Sequence, residues 1–111
     1  MEDTDDIEDD DNEPVPRMTR ELDWLHYKEM YAVLYANGFV SKPMENGGVF
    51  FTHPNGAELA YPAMEPTENV ISHHYAAARV TVSDWGIMTG DEFYLEVMEA
   101  EGRITIHRNK T

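Results

Sequence analysis

The sequence contains no cysteine. That excludes disulfides, thiolate metal sites and a cysteine nucleophile, and fits a reducing compartment. Basic residues are scarce, eight Lys and Arg against 22 Asp and Glu, for a formal net charge of −14. Affinity for phosphate comes from clustered Lys and Arg, so nucleic acid is not an expected partner. No apolar run is long enough to span a bilayer, and the N-terminus shows no basic, apolar leader pattern. The expectation is a cytoplasmic protein with no membrane segment. No glycine-rich phosphate loop occurs, since Glu45–Phe51 (ENGGVFF) lacks the lysine and the helix that such a loop needs. No Ser, His, Asp order points to a nucleophilic triad, and no cofactor is expected.

What is there suits one small domain: 111 residues, 41% of them apolar. The charge is unevenly placed. Residues 1–13 hold nine acidic residues, Asp9, Asp10 and Asp11 among them, and no basic one. Such a segment repels itself and has little apolar surface to offset its ordering entropy. Residues 1–16 are therefore read as a disordered acidic tail, closed by the stiff Pro14–Arg17 joint, and residues 17–111 as a single α+β domain.

Thr19–Phe39 reads as a helix. Leu22, Leu25, Met30, Val33 and Leu34 fall near helical spacing, and Trp24, Tyr27, Tyr31 and Tyr35 widen the stripe. Thr19 is the expected N-cap, Glu21 suits the first turn, and Asn37-Gly38 supplies the stop. Such an aromatic stripe is read as core rather than as a platform for bases. Three short strands follow: Phe39–Met44, Val49–His53 and Ala57–Pro62. They are joined by tight turns at Glu45–Gly48 and Pro54–Gly56, which makes an antiparallel meander. Pro43 and Pro62 mark strand ends. A second helix is expected from a Thr67 cap, with Glu68 in its first turn, to about Asp84, with Gly86 as the stop. A third carries a capping-box pattern at Thr89 and Glu92, with Phe93, Val97 and Met98 on one face. Gly102 breaks the chain, and Arg103–His107 alternates as a last strand. The predicted order is α-β-β-β-α-α-β, a small antiparallel sheet with helices on one face.

Several of these residues carry a resemblance. Leu34–Pro62 resembles the core of the HicA (YcfA-like) toxins, small RNA-cleaving proteins with a fold similar to double-stranded-RNA-binding domains. Asn37, Gly38 and Phe39 match the family's helix end. Phe51 and the turn His53, Pro54, Asn55 and Gly56 match its second hairpin turn, and Pro62 its strand end. Trp85–Val97 resembles its last helix. The likeness covers roughly residues 20–99 and implies a dsRBD-like α-β-β-β-α core with an extra C-terminal helix and strand.

The departures bear on chemistry. Counting back from His53, the family's catalytic histidine falls at Gly48 and its serine at Gly47, while Val49 takes the place of a frequent second histidine. Cleavage of this kind needs a general base or acid, which glycine cannot supply. The family's Lys and Arg near this turn would stabilise a negative transition state. Here the neighbours are Glu45 and Glu58, with Lys42 alone. No catalytic residue is therefore assigned. His53 is the one histidine near that region and the candidate for a displaced role, although a turn residue whose ring bonds the backbone is the expected reading.

The remaining histidines, His26, His73, His74 and His107, are read as surface or half-buried. Adjacent His73 and His74 point about 100° apart on a helix, and no His-x-x-x-His or His-x-x-Glu spacing is read as a metal site. The sequence thus leads to a non-catalytic acidic binding protein. Asp9, Asp10, Asp11, Glu45 and Glu58 would face a basic protein that handles nucleic acid, as a phage or mobile-element inhibitor of a host protein would. The alternatives are a ribonuclease with a rearranged site and an antitoxin-like or structural domain that dimerises through an edge strand.

Overall fold

The computed structural model describes residues 20–107. The acidic tail, Asp9–Asp11 and the Thr19 cap lie outside the described residues. The elements run β1 (Glu21–His26), α1 (Tyr27–Ala36), β2 (Val40–Pro43), β3 (Val49–Thr52), β4 (Glu58–Tyr61), β5 (Asn69–Ile71), α2 (Ser72–Asp84) and α3 (Gly90–Ala100). The domain is α+β, with a helix–meander–helix core from α1 through β4 to α2.

The meander forms as expected, in the order β2-β3-β4 with antiparallel pairing throughout. Val49 pairs with Tyr61 and Phe51 with Leu59, so these four share one face. That face meets the helices. Tyr31 and Tyr35 of α1 lie against the Phe51 ring at centroid distances of 5.0 and 5.5 Å, and His74 of α2 meets Tyr61 at 5.1 Å. Leu25, Tyr27, Met30, Leu34, Val70, Ala78, Val82, Phe93 and Val97 are among the other buried core residues. The opposite face carries exposed Val40 and, beside it, Lys42 with its ammonium 5.9 Å above the Phe50 ring.

Three expectations are overturned. The first half of the predicted first helix is strand β1, which pairs antiparallel with β5 around an irregularity. Asn69 Nδ2 donates to Leu22 O, and Ser72 N to Arg20 O, at the two ends of this ribbon. The pairing is tertiary, between segments almost 50 residues apart, and it overrides a helical spacing that only begins in earnest at Tyr27. Helix α1 then starts at an extended His26 with no side-chain cap. Its first donors are met from outside instead: Tyr27 N and Lys28 N donate to Glu68 O and Pro66 O.

The second correction follows from the first. Val70 and Ile71 belong to β5, so α2 begins at Ser72 after an Ile71 N-cap, and Thr67 caps nothing. Its end at Asp84 and the Gly86 stop stand as predicted. The third correction concerns Arg103–His107, which forms no strand. Arg103 Nε donates to Trp24 O at 3.0 Å, and Ile106 N to Glu99 Oε2 at 3.3 Å. Side chains thus hold the segment to β1 and α3, and no backbone ladder joins it to β1, whose strand partner is β5. Helix α3 has its capping box complete: Thr89 Oγ1 accepts from Glu92 N, and Glu92 Oε1 from Thr89 N.

Candidate functional site

The two meander turns carry the sequence signatures, and they lie at opposite ends of β3. The first closes through Met44 N to Gly48 O and Gly47 N to Met44 O, with Asn46 Oδ1 accepting from Gly48 N. Gly48 is buried inside it. A Cβ at Gly48 would stand 2.3 Å from the Tyr61 carbonyl oxygen and 2.8 Å from Met44 Cε. The carbonyl is backbone of the β3–β4 ladder, where Tyr61 pairs with Val49, so it can move only by shifting that pairing. The position where the resemblance calls for a catalytic histidine therefore has no space for any side chain.

The second turn is filled by a side chain. Its backbone closes through Gly56 N to His53 O and His53 N to Ala57 O. The His53 ring bonds on both sides, Nε2 donating to Asn37 O at 3.0 Å and Nδ1 accepting from Asn55 N at 3.2 Å. Both bonds are met together by a neutral ring with its proton on Nε2. Asn55 Oδ1 accepts from Ala57 N, and Asn55 Nδ2 donates to Trp85 O. His53 thus ties the turn to the end of α1, and Asn55 ties it to the end of α2. Gly56, at φ +105°, lies under the Trp85 ring. The expected backbone-bonding role of His53 is what the geometry shows.

Five residues separate Gly48 from His53, about 17 Å along an extended strand. His53 is therefore not a displaced substitute at the first turn. Glu45 and Glu58, both exposed, are split in the same way. Glu45 sits in the first turn, while Glu58 pairs with Thr52 at the other end of β3. The structure does not bring them together.

His73 and His74 also part, His73 on the surface and His74 in the core. This corrects the reading of His74 as surface or half-buried. Tyr27 Oη accepts from Ile71 N at 3.1 Å and donates to His74 Nδ1 at 2.7 Å, while Tyr61 Oη donates to His74 O at 2.9 Å. Desolvation, with His73 alongside, pushes the His74 ring below the usual histidine range. Burial likewise raises the Tyr27 and Tyr61 phenols and takes Tyr31 up to about 12. These groups are kept neutral at ordinary pH, and Tyr27, Tyr61 and His74 serve as core hydrogen-bonding groups.

Among the described residues, one group has metal-ligand geometry: His26, Glu29 and Glu101, whose ligating atoms all lie within 4.8 Å of one another. Sequence reasoning passed over it. The available signal was the i, i+3 spacing of His26 and Glu29. Glu101 is 75 residues from His26 and carries no signal of its own.

Comparisons with protein-family models, with characterised proteins and with solved structures give no match. No helix among the described residues is long and apolar enough to cross a membrane.

Proposed function

We propose that this chain is a non-catalytic binding protein on a HicA-like α+β domain, which uses its acidic surface to engage a basic, nucleic-acid-handling protein partner. The observation that carries the non-catalytic part is Gly48. Backbone fills the space where the general base would stand, and His53 has both ring nitrogens committed to backbone groups. Composition carries the partner's charge. Thirteen acidic and five basic residues fall in 20–107, and the nine acidic residues of 1–13 add to the same sign. Long-range attraction would speed association with a basic surface and weaken with salt.

The test is capture of partners from the native cell by the full chain, at low and high ionic strength, beside an RNA-cleavage assay on the purified protein. The reading expects capture that falls steeply with salt, and no cleavage. RNA cleavage that disappears in His53→Ala would overturn it in favour of the ribonuclease. A dimerising module is the second reading, favoured by β2. That strand is an edge of the meander with all four residues exposed. Lys42 and Pro43 blunt this edge against pairing, and a dimer mass in gel filtration would restore the second reading.

A further inference from the structure

Three elements meet where α1 begins. His26 ends β1, Glu29 lies in the first turn of α1, and Glu101 is the residue that ends α3. Glu101 is deeply buried, its side chain 6% exposed, and Glu29 is 20% exposed. Glu101 Oε2 accepts from His26 N, and the His26 Nδ1 atom lies 3.1 and 3.0 Å from the two Glu101 oxygens. Glu29 Oε1 is 3.9 Å from the same Nδ1, fully buried and without a hydrogen-bond partner. A buried carboxylate oxygen that accepts nothing carries a full desolvation cost. A second carboxylate beside it adds repulsion, and the His26 imidazole faces both.

We propose that His26 Nδ1, Glu29 Oε1 and a Glu101 carboxylate oxygen form a site for one first-row divalent cation, with Zn²⁺ the fitting ion, that clasps the start of α1 to the end of α3. Ligands at about 2.1 Å around a tetrahedral ion stand roughly 3.4 Å apart. The Nδ1 to carboxylate separations of 3.0, 3.1 and 3.9 Å bracket that value. One imidazole with two carboxylates selects Zn²⁺ and its neighbours over Mg²⁺, which takes oxygen ligands alone. An open cavity of about 270 Å³, bounded also by Lys28 and Thr67, leaves room for water at the remaining positions.

Two further charges face the site. The positive end of α1 opposes a cation, and the negative end of α3, where Glu101 sits, favours it, so the two helix ends offset. Lys28 Nζ lies 3.9 Å from Glu29 Oε2, on the oxygen away from the orphaned one, and is 59% exposed and able to swing out. When the ion binds, His26 offers its Nδ1 lone pair and carries its ring proton on Nε2.

The experiment is titration of the full chain with Zn²⁺, and separately with Mg²⁺, by calorimetry and thermal melting, on wild type, Glu29→Gln, Glu101→Gln and His26→Gln. The site predicts one Zn²⁺ per chain and no Mg²⁺ binding, with Tm raised by about 6–11 °C at ten times Kd. Each variant should weaken Zn²⁺ binding by about 10-fold or more. Glu29→Gln keeps the shape and takes the charge off Oε1, the oxygen without a hydrogen-bond partner, so its metal-free Tm should equal or exceed that of wild type. No saturable Zn²⁺ binding would overturn the proposal. So would Zn²⁺ binding that is unchanged in Glu29→Gln, which would place the ion on the acidic tail or on other histidines. A lowered metal-free Tm in Glu29→Gln would equally overturn it, since Glu29 would then be the structural partner of a protonated His26.

Discussion

The two hairpin turns of the meander are close in sequence and differ in what occupies their interiors. At Met44–Gly48 the interior is backbone, with the Tyr61 carbonyl lying where a Cβ of residue 48 would be. At His53–Ala57 it is a side chain, the His53 ring bridging Asn37 O and Asn55 N. Glycine is required at residue 48 for space, and at residue 56 for its φ of +105° under Trp85. Turn signatures of this kind describe a backbone path. Chemistry depends on whether the path leaves a reactive group free: residue 48 has no space for one, and the His53 ring has both nitrogens bonded to backbone.

Strand β3 joins the two turns. Phe51 lies between Tyr31, Tyr35, Phe39 and Tyr61 and is fully buried. Phe51→Ala should cost about 4 kcal/mol and loosen both turns together, as read by denaturant unfolding and by amide exchange at Gly48 and Ala57. Exchange that rises at one turn only would show that the two are held separately.

Gly48→Ala should come next. A methyl pressed on the Tyr61 carbonyl forces β3 from β4 and should cost about 3 kcal/mol, against about 1–2 kcal/mol for Gly56→Ala, where the strain is in φ. Equal costs would remove the distinction between space and φ. Gly48→His should destabilise the domain and yield no RNA cleavage.

His53→Ala is expected to be milder, about 1–2 kcal/mol, because it leaves the Asn37 carbonyl without its donor and opens the Phe39 contact. Amide exchange should increase at Asn55 and leave Gly48 unchanged. Spread of the increase to Gly48 would contradict the separation along β3.

The subtlest effect contrasts the ring in the turn with the ring in the core. His74 is held below the ordinary histidine value of 6.5 by burial and by His73. The unfolded chain therefore binds the proton first. His74 contributes stability that is whole above pH 6.5 and is lost as pH falls through its folded value. A Tm series on the acid side should show this loss in wild type and a flatter profile in His74→Gln. An identical acid slope in that variant would assign the loss elsewhere.

Much of the architecture was legible because it is local. The Asn37-Gly38 stop, the two meander turns and the Thr89–Glu92 capping box each need only residues within a few positions of one another. The β1–β5 ribbon was illegible for the opposite reason. Leu22, Trp24 and Leu25 suit a helical stripe as readily as a strand, and only β5, far along the chain, decides between them. The expected final strand failed in the same way, since "RITIH" alternates but is held to β1 and α3 through the Arg103 and Glu99 side chains instead of by a backbone ladder. Of the candidate site, the His53 turn was readable as a backbone device. The His26, Glu29 and Glu101 cluster was not, because one member stands 75 residues from another.

By itself the sequence determined the helix stops, the hairpins, the missing cysteine and the strong acidic balance, all of which follow from residue type and short-range sterics or charge. Only the tertiary structure decided that β1 is a strand, that residue 48 admits no side chain and that two glutamates and a histidine converge at the start of α1. Each of those depends on which distant segment lies alongside, and that is settled by packing across the whole core.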